Sequence, residues 1–177
     1  ADLRTRYWDW TQRALDGPHY LRFCGTPPVA HVFGLVEALR MIADEGIEAR
    51  WARHRALADA VRTAVDAWSA PGGVSLYAEE PAERGDPVTA IRGGDVDVAR
   101  LASICRDECG VTLGVGLGDL EGRGFRIAHM GHVNAPMVLG VLGTVEAALV
   151  SLGAPVGSSG VAAAARDSGE QKAMKIA

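Results

Sequence analysis

The chain is short of cysteine, almost without lysine and free of any long apolar run, and each shortage narrows what it can be. Its three cysteines, Cys24, Cys105 and Cys109, are an odd number without disulfide spacing. Cys105 and Cys109 stand one helical turn apart, but no matching His or Cys pair completes a zinc site. No metal is expected, and reduced thiols in a cytoplasmic protein fit best. The lysines, Lys172 and Lys175, both lie at the far C-terminal end. No apolar stretch reaches the roughly 20 residues of a membrane span, and the opening Ala-Asp-Leu-Arg-Thr-Arg lacks the apolar core of a signal peptide. That opening reads as an interior start within a longer protein. A net charge of -4 makes nucleic acid and anionic membranes unexpected partners.

What is present suits a globular domain: 177 residues with 48% apolar and 23% charged side chains can build one real core. Tyr7, Trp8 and Trp10 form an aromatic group near the start that needs cover, and Asp16-Gly17-Pro18-His19 is a break. Thr26 is an N-cap candidate ahead of Pro27 and Pro28. The spacing of Val32, Leu35, Val36, Leu39 and Ile42 predicts a helix over 28–43 with one buried face, stopped by Gly46. A second helix is expected over 47–68, with Ile47, Trp51, Leu57, Val61, Val65 and Trp68 in its core stripe. His54 sits at the edge of that stripe and reads as packing.

Short strands follow at 74–78, 88–91, 111–113 and 125–128, with a helix capped by Asp95 or Asp97 between the second and third. A last helix is expected over 135–152 with Asn134 as its cap. After Gly153 the composition changes: Gly157-Ser158-Ser159-Gly160 reads as a flexible linker leading into an alanine run. The order of elements predicts an α+β fold, a small, mostly antiparallel sheet with helices packed on one side.

The stretch 116–134 concentrates the chemistry. Gly116, Gly118, Gly122 and Gly124 bracket Asp119, Glu121 and Arg123, the composition of a tight exposed connection. Arg126 then falls inside a strand otherwise fit for a core, where a guanidinium must find an anionic partner. Two partners are open: a carboxylate of its own chain, or the carboxylate of a ligand held by the planar fork. His129 and His132 are three apart at a strand-to-helix turn and lack a third ligand cluster, so a structural turn is the better reading. The paired glycines precede a strand, not a helix, which argues against a nucleotide-binding loop.

Several segments resemble the C-terminal part of the class V pyridoxal-phosphate aminotransferases, in particular those of the alanine–glyoxylate and serine–glyoxylate kind. They are Thr26-Pro27-Pro28-Val29, Gly34-Leu35-Val36-Glu37-Ala38-Leu39, Gly46-Ile47-Glu48-Ala49-Arg50-Trp51-Ala52-Arg53-His54, Gly116-Leu117-Gly118, and the run Phe125 to Asn134. The likeness spans about Tyr7 to Leu152. It implies that residues 1–25 connect from a larger domain, that 26–153 are the C-terminal small domain, and that 154–177 are a Gly/Ser/Ala-rich tail. It implies a homodimer, pyridoxal 5'-phosphate as cofactor, and small amino acids and 2-oxo acids as substrates. By the same resemblance Arg126 binds the substrate carboxylate, Thr26 reaches the cofactor phosphate of a partner subunit, and Phe23 replaces a tyrosine that makes a second phosphate contact in many members.

In that family the lysine that holds the cofactor precedes the small domain. Here Ser168-Gly169-Glu170-Gln171-Lys172-Ala173-Met174 resembles the lysine segment but follows the last core helix, so Lys172 reads as a solvated tail charge and no catalytic residue is assigned. The chain is expected to supply carboxylate recognition and to be inactive alone. The alternatives are a pyridoxamine–pyruvate transaminase and a non-catalytic α+β binding module.

Overall fold

The computed structural model describes residues 8–23 and 25–170. Tyr7, Cys24 and Lys172 lie outside the described residues. By its contacts the chain divides into two units, residues up to Ile47 and residues from Glu48 onward.

The first unit holds two 3-10 turns, Thr11–Arg13 and His19–Phe23, and helix α1, Val29–Glu45. Pro28, not Thr26, occupies the cap position of α1, and no side chain bonds the helix start there. The Val29 N–H instead donates to the Pro27 carbonyl at 2.8 Å, a bond that needs no hydroxyl. The helix forms as its spacing predicts and ends at Gly46. Its apolar stripe, however, is not buried: Val32, Leu35, Val36 and Leu39 are 44–59% exposed, and no residue of α1 is buried. Periodicity records which side of a helix needs cover, and cover has to come from another surface.

The second unit is an α+β layer. Helix α2, Ile47–Trp68, is followed by β1, Ser75–Leu76, and β2, Val88–Arg92. Then come α3, Val98–Ser103, a π-helical turn over Ile104–Glu108, β3, Gly114–Val115, and β4, Gly124–Ala128. Helices α4, Ala135–Ser151, and α5, Gly160–Glu170, complete it. The four strands are antiparallel in the order β1-β2-β4-β3. Alternation divides the sheet. Leu76, Ile91, Phe125 and Ile127 enter one core with Val61, Val65 and Trp68 of α2 and Leu142, Val145 and Leu149 of α4. Ala90, Arg92 and Arg126 take the other face and stay half-buried. The caps match the sequence: Asp97 accepts from the Arg100 N–H at 2.9 Å and Asn134 from the Met137 N–H at 3.1 Å.

Three further expectations are corrected. Trp51 is not core but 61% exposed, and burial along α2 begins only at Ala56. A helix of 22 residues runs about 33 Å, whereas a five-residue strand spans about 17 Å, so α2 overshoots the sheet. The third strand is not 111–113: the Val111 N–H closes the preceding turn on the Cys105 carbonyl at 2.8 Å, and pairing with β4 starts at Gly114. The stretch 157–160 is not a loose linker. Its Gly157 and Ser158 N–H groups bond Trp68 and Ala67 carbonyls, and α5 seats Ala164 in the core. A Cβ on Gly160 would lie 2.6 Å from the Ala64 carbonyl, so the glycine marks a close approach, not slack.

Candidate functional site

Arg126 stands in the middle of β4 on the outer face. Its cross-strand partners are Ala90 on β2 and Gly114 on β3, and its neighbours two residues away on β4 are Gly124 and Ala128. Each nearest position on that face is therefore glycine or alanine, and the one long side chain rises from a shallow floor. The Nε–H donates to the Val115 carbonyl at 2.8 Å. Among the described residues the Nη1 and Nη2 groups make no hydrogen bond, and no carboxylate comes within ion-pair distance of Arg126. Of the two partners left open by the sequence, no acid among the described residues takes up Arg126. With Nε committed, the guanidinium offers its two Nη groups end-on, which suits the two oxygens of a carboxylate.

The neighbouring arginines are differently occupied. A groove beside Ala90 is lined by Arg62, Tyr77, Arg84 and Arg92 among others. Arg92 pairs with Glu79 at 2.6 Å and lies over the Tyr77 ring. Arg84 donates to the Ala78 and Glu79 carbonyls, and Arg62 to Asp59, Asp86 and the Gly85 carbonyl. These cations hold the 77–87 loop in place.

The end of β4 is fixed from α2. Arg53 donates to the Gly131 and Val133 carbonyls, at 3.2 and 2.7 Å, and His54 Nε2 donates to the Gly131 carbonyl at 3.2 Å. The helix overhang that exposes Trp51 is thus what pins the turn after Arg126. His54 is a structural donor, and nothing in its spacing revealed which carbonyl it serves. His129 and His132 part company: the first is fully buried and shares a 2.9 Å hydrogen bond with the Thr89 hydroxyl, the second is exposed. Burial pushes the His129 pKa down to about 4. The Asp86 backbone and carboxylate push back, and Arg62 and His54 add to the fall. Among the described residues no group of three or more His, Cys, Asp or Glu side chains gathers as a metal site. Cys105 is buried, and desolvation raises its thiol pKa, so it behaves as a small apolar group.

Thr26 lies in the first unit, exposed, two residues ahead of the α1 cap. Its hydroxyl makes no hydrogen bond among the described residues, and the first turn of α1 carries no acidic side chain. With the Val29 N–H bonded to Pro27 and the Val32 N–H to Pro28, the Ala30 and His31 N–H groups are the ones at this helix start that an anion could use.

Residues 9–119 match the Aminotransferase class-V family, a span that includes Thr26 and stops short of Arg126. A serine–glyoxylate aminotransferase of Methylorubrum extorquens is 37% identical over 89% of this chain and 39% of its own. An L-aspartate–glyoxylate aminotransferase of Paracoccus denitrificans is 39% identical over 78% of this chain and 35% of its own. The crystal structure of pyridoxamine–pyruvate aminotransferase from Mesorhizobium loti superposes with a TM-score of 0.74 at 33% identity, over 86% of this chain and 38% of that one. The chain therefore spans between a third and two fifths of the length of these relatives. On the family match and on these likenesses together, the chain belongs to the class V aminotransferases.

Proposed function

We propose that this chain is the C-terminal part of a pyridoxal-phosphate-dependent transaminase that moves an amino group from a small amino acid, alanine or serine, to glyoxylate or pyruvate. In this reading residues 1–25 connect from a larger domain, 26–153 form the small domain, and the enzyme is a cytoplasmic homodimer. The observation that carries it is the Arg126 guanidinium, anchored through Nε and free at both Nη groups over a floor of glycine and alanine. Every substrate of such a reaction presents one constant group, a carboxylate, and a planar two-donor fork is the side chain that recognises it. With Arg92 held by Glu79, the face offers its free fork to a single carboxylate, which favours small donors over dicarboxylates.

The described residues fit one end of the cofactor. The Thr26 hydroxyl and the N–H groups of the acid-free first turn of α1 would hold its phosphate. No lysine lies among the described residues, so the aldehyde end has no amine partner there. When bound, the cofactor supplies an electron sink that eases proton loss from the amino-acid α-carbon. This chain's part is to fix the carboxylate, and so the orientation of that carbon, at Arg126.

In the complete enzyme, Arg126→Lys keeps the charge and loses the fork. We expect kcat/KM to fall roughly 100-fold, about 2.7 kcal/mol, for every carboxylate substrate, with KM carrying most of the change. An unchanged KM would remove the assignment. A pyridoxamine donor, as in the relative of known structure, would bring its carboxylate only with pyruvate. Arg126→Lys would then raise KM for pyruvate and leave that for pyridoxamine as it was.

A further inference from the structure

A glycine faces Arg126 across β3, and the distances there are shorter than an ordinary strand pair allows. A Cβ built on Gly114 would stand 3.2 Å from Arg126 Cβ, 3.3 Å from its carbonyl oxygen and 3.6 Å from Nε. Facing Cβ atoms in antiparallel pairs usually sit about 4.5–5.5 Å apart. A side chain at 114 would therefore be tight against Arg126, and its neighbour would have to give by a few tenths of an ångström. The same approach brings the Val115 carbonyl, next along β3, to 2.8 Å from Arg126 Nε. Ala90 stands on the opposite side, and the nearness of Nε to the Gly114 position places the side chain over β3.

We propose that Gly114 is a positioning residue for substrate-carboxylate binding, acting through Arg126. The missing side chain lets β3 close on β4, which sets the Val115 carbonyl against Nε and aims the two Nη groups outward as an end-on fork. A methyl at 114 makes β3 or the arginine give by a few tenths of an ångström and a branched side chain by more, which lengthens the Nε–O contact. The guanidinium then keeps its charge and loses its fixed plane, so two-point docking becomes one-point. The inference rests on the proposed role of Arg126, and the experiment separates the two.

The variants are Gly114→Val, Gly114→Ala, Arg126→Lys and the double variant Gly114→Val/Arg126→Lys. Two readouts apply: the 15N-detected Nε–H signal of Arg126 in this chain, and steady-state kinetics of the complete enzyme with glyoxylate and L-serine. Gly114→Val should speed exchange of the Arg126 Nε–H relative to the unsubstituted chain and raise KM for both substrates about tenfold while kcat moves less than threefold. Gly114→Ala, the milder change should valine prevent folding, should do the same at about threefold. The double variant should match Arg126→Lys alone, because a lysine has no Nε to anchor and the glycine then has nothing left to position. A purely structural glycine would instead make the two effects multiply. Wild-type exchange and wild-type KM in the Gly114 variants, beside a raised KM in Arg126→Lys, would overturn the role of Gly114 and leave that of Arg126 standing. A normal KM in Arg126→Lys would overturn both.

Discussion

Trp68→Ala is expected to cost about 3–5 kcal/mol, a third or more of the stability of an ordinary domain. The indole is fully buried at the end of α2, amid residues of α2, α4, α5 and the sheet. It does two separable things. Its rings fill the volume against which Gly160 closes, since a Cβ there would lie 2.6 Å from Trp68 Cε2. Its Nε1–H donates at 2.7 Å to Glu146, whose carboxylate also accepts from the Ser159 hydroxyl and the Val161 N–H at the start of α5. Trp68→Phe keeps most of the volume and strips the donor, so about 1–2 kcal/mol is expected. Urea unfolding followed by far-UV circular dichroism measures both. A loss below about 1 kcal/mol for the alanine variant would mean that the core collapses around the gap.

The Glu146 cluster adds a pH signature. Burial raises the carboxyl pKa, but hydrogen bonds from Trp68, Ser159 and the Val161 and Gly160 N–H groups outweigh it, and the net direction is down. A depressed carboxylate stabilises the fold above its unfolded pKa and loses that contribution as pH falls through the folded value. Glu146→Gln should flatten this part of the acid limb and speed hydrogen exchange at the Val161 amide.

The second large effect is acid sensitivity at His129. Its folded pKa, about 4, lies below the ordinary 6.5, because charging the ring means charging it inside the core. Above pH 6.5 the ring is neutral folded or unfolded, and the group contributes no pH dependence. Between 6.5 and 4 the unfolded chain takes up a proton that the folded chain refuses, so stability falls with pH. The total is on the order of 3 kcal/mol, at about 1.4 kcal/mol per pH unit. His129→Gln should remove that slope in urea midpoints measured from pH 7 to pH 4. The ring proton of His129, followed by NMR, should titrate near 4; titration near 6.5 would refute the account. The Thr89 hydroxyl holds the Nε2 side of the ring at 2.9 Å, and the Asp86 backbone acts on it from nearby.

Local chemistry was legible throughout. The bounds of α2 and α4, the caps Asp97 and Asn134, the stop at Gly46 and the two long strands all follow from period, cap and breaker, because those signals act over a few residues. So did the central oddity, an arginine in a strand otherwise fit for a core. Its lack of a carboxylate was not legible, since an ion pair depends on which side chains the fold brings near. For the same reason β3 moved from 111–113 to Gly114–Val115: a strand exists where a partner offers bonds, not where β-branched residues stand. The Gly-Ser stretch before α5 looked slack because composition is blind to close approach, and Gly160 is small for the sake of Ala64 and Trp68.

By itself, then, the sequence determined the α+β class, the helices, the polarity of each face and the position of the one guanidinium worth following. Only the tertiary structure decided that Trp51 stands clear of the core, that α5 belongs to it, and that Gly114 faces Arg126 where a side chain would be tight. The division has one physical cause. Periodicity and capping are properties of neighbours along the chain, whereas register, cover and free hydrogen-bonding capacity are properties of surfaces that meet only after folding.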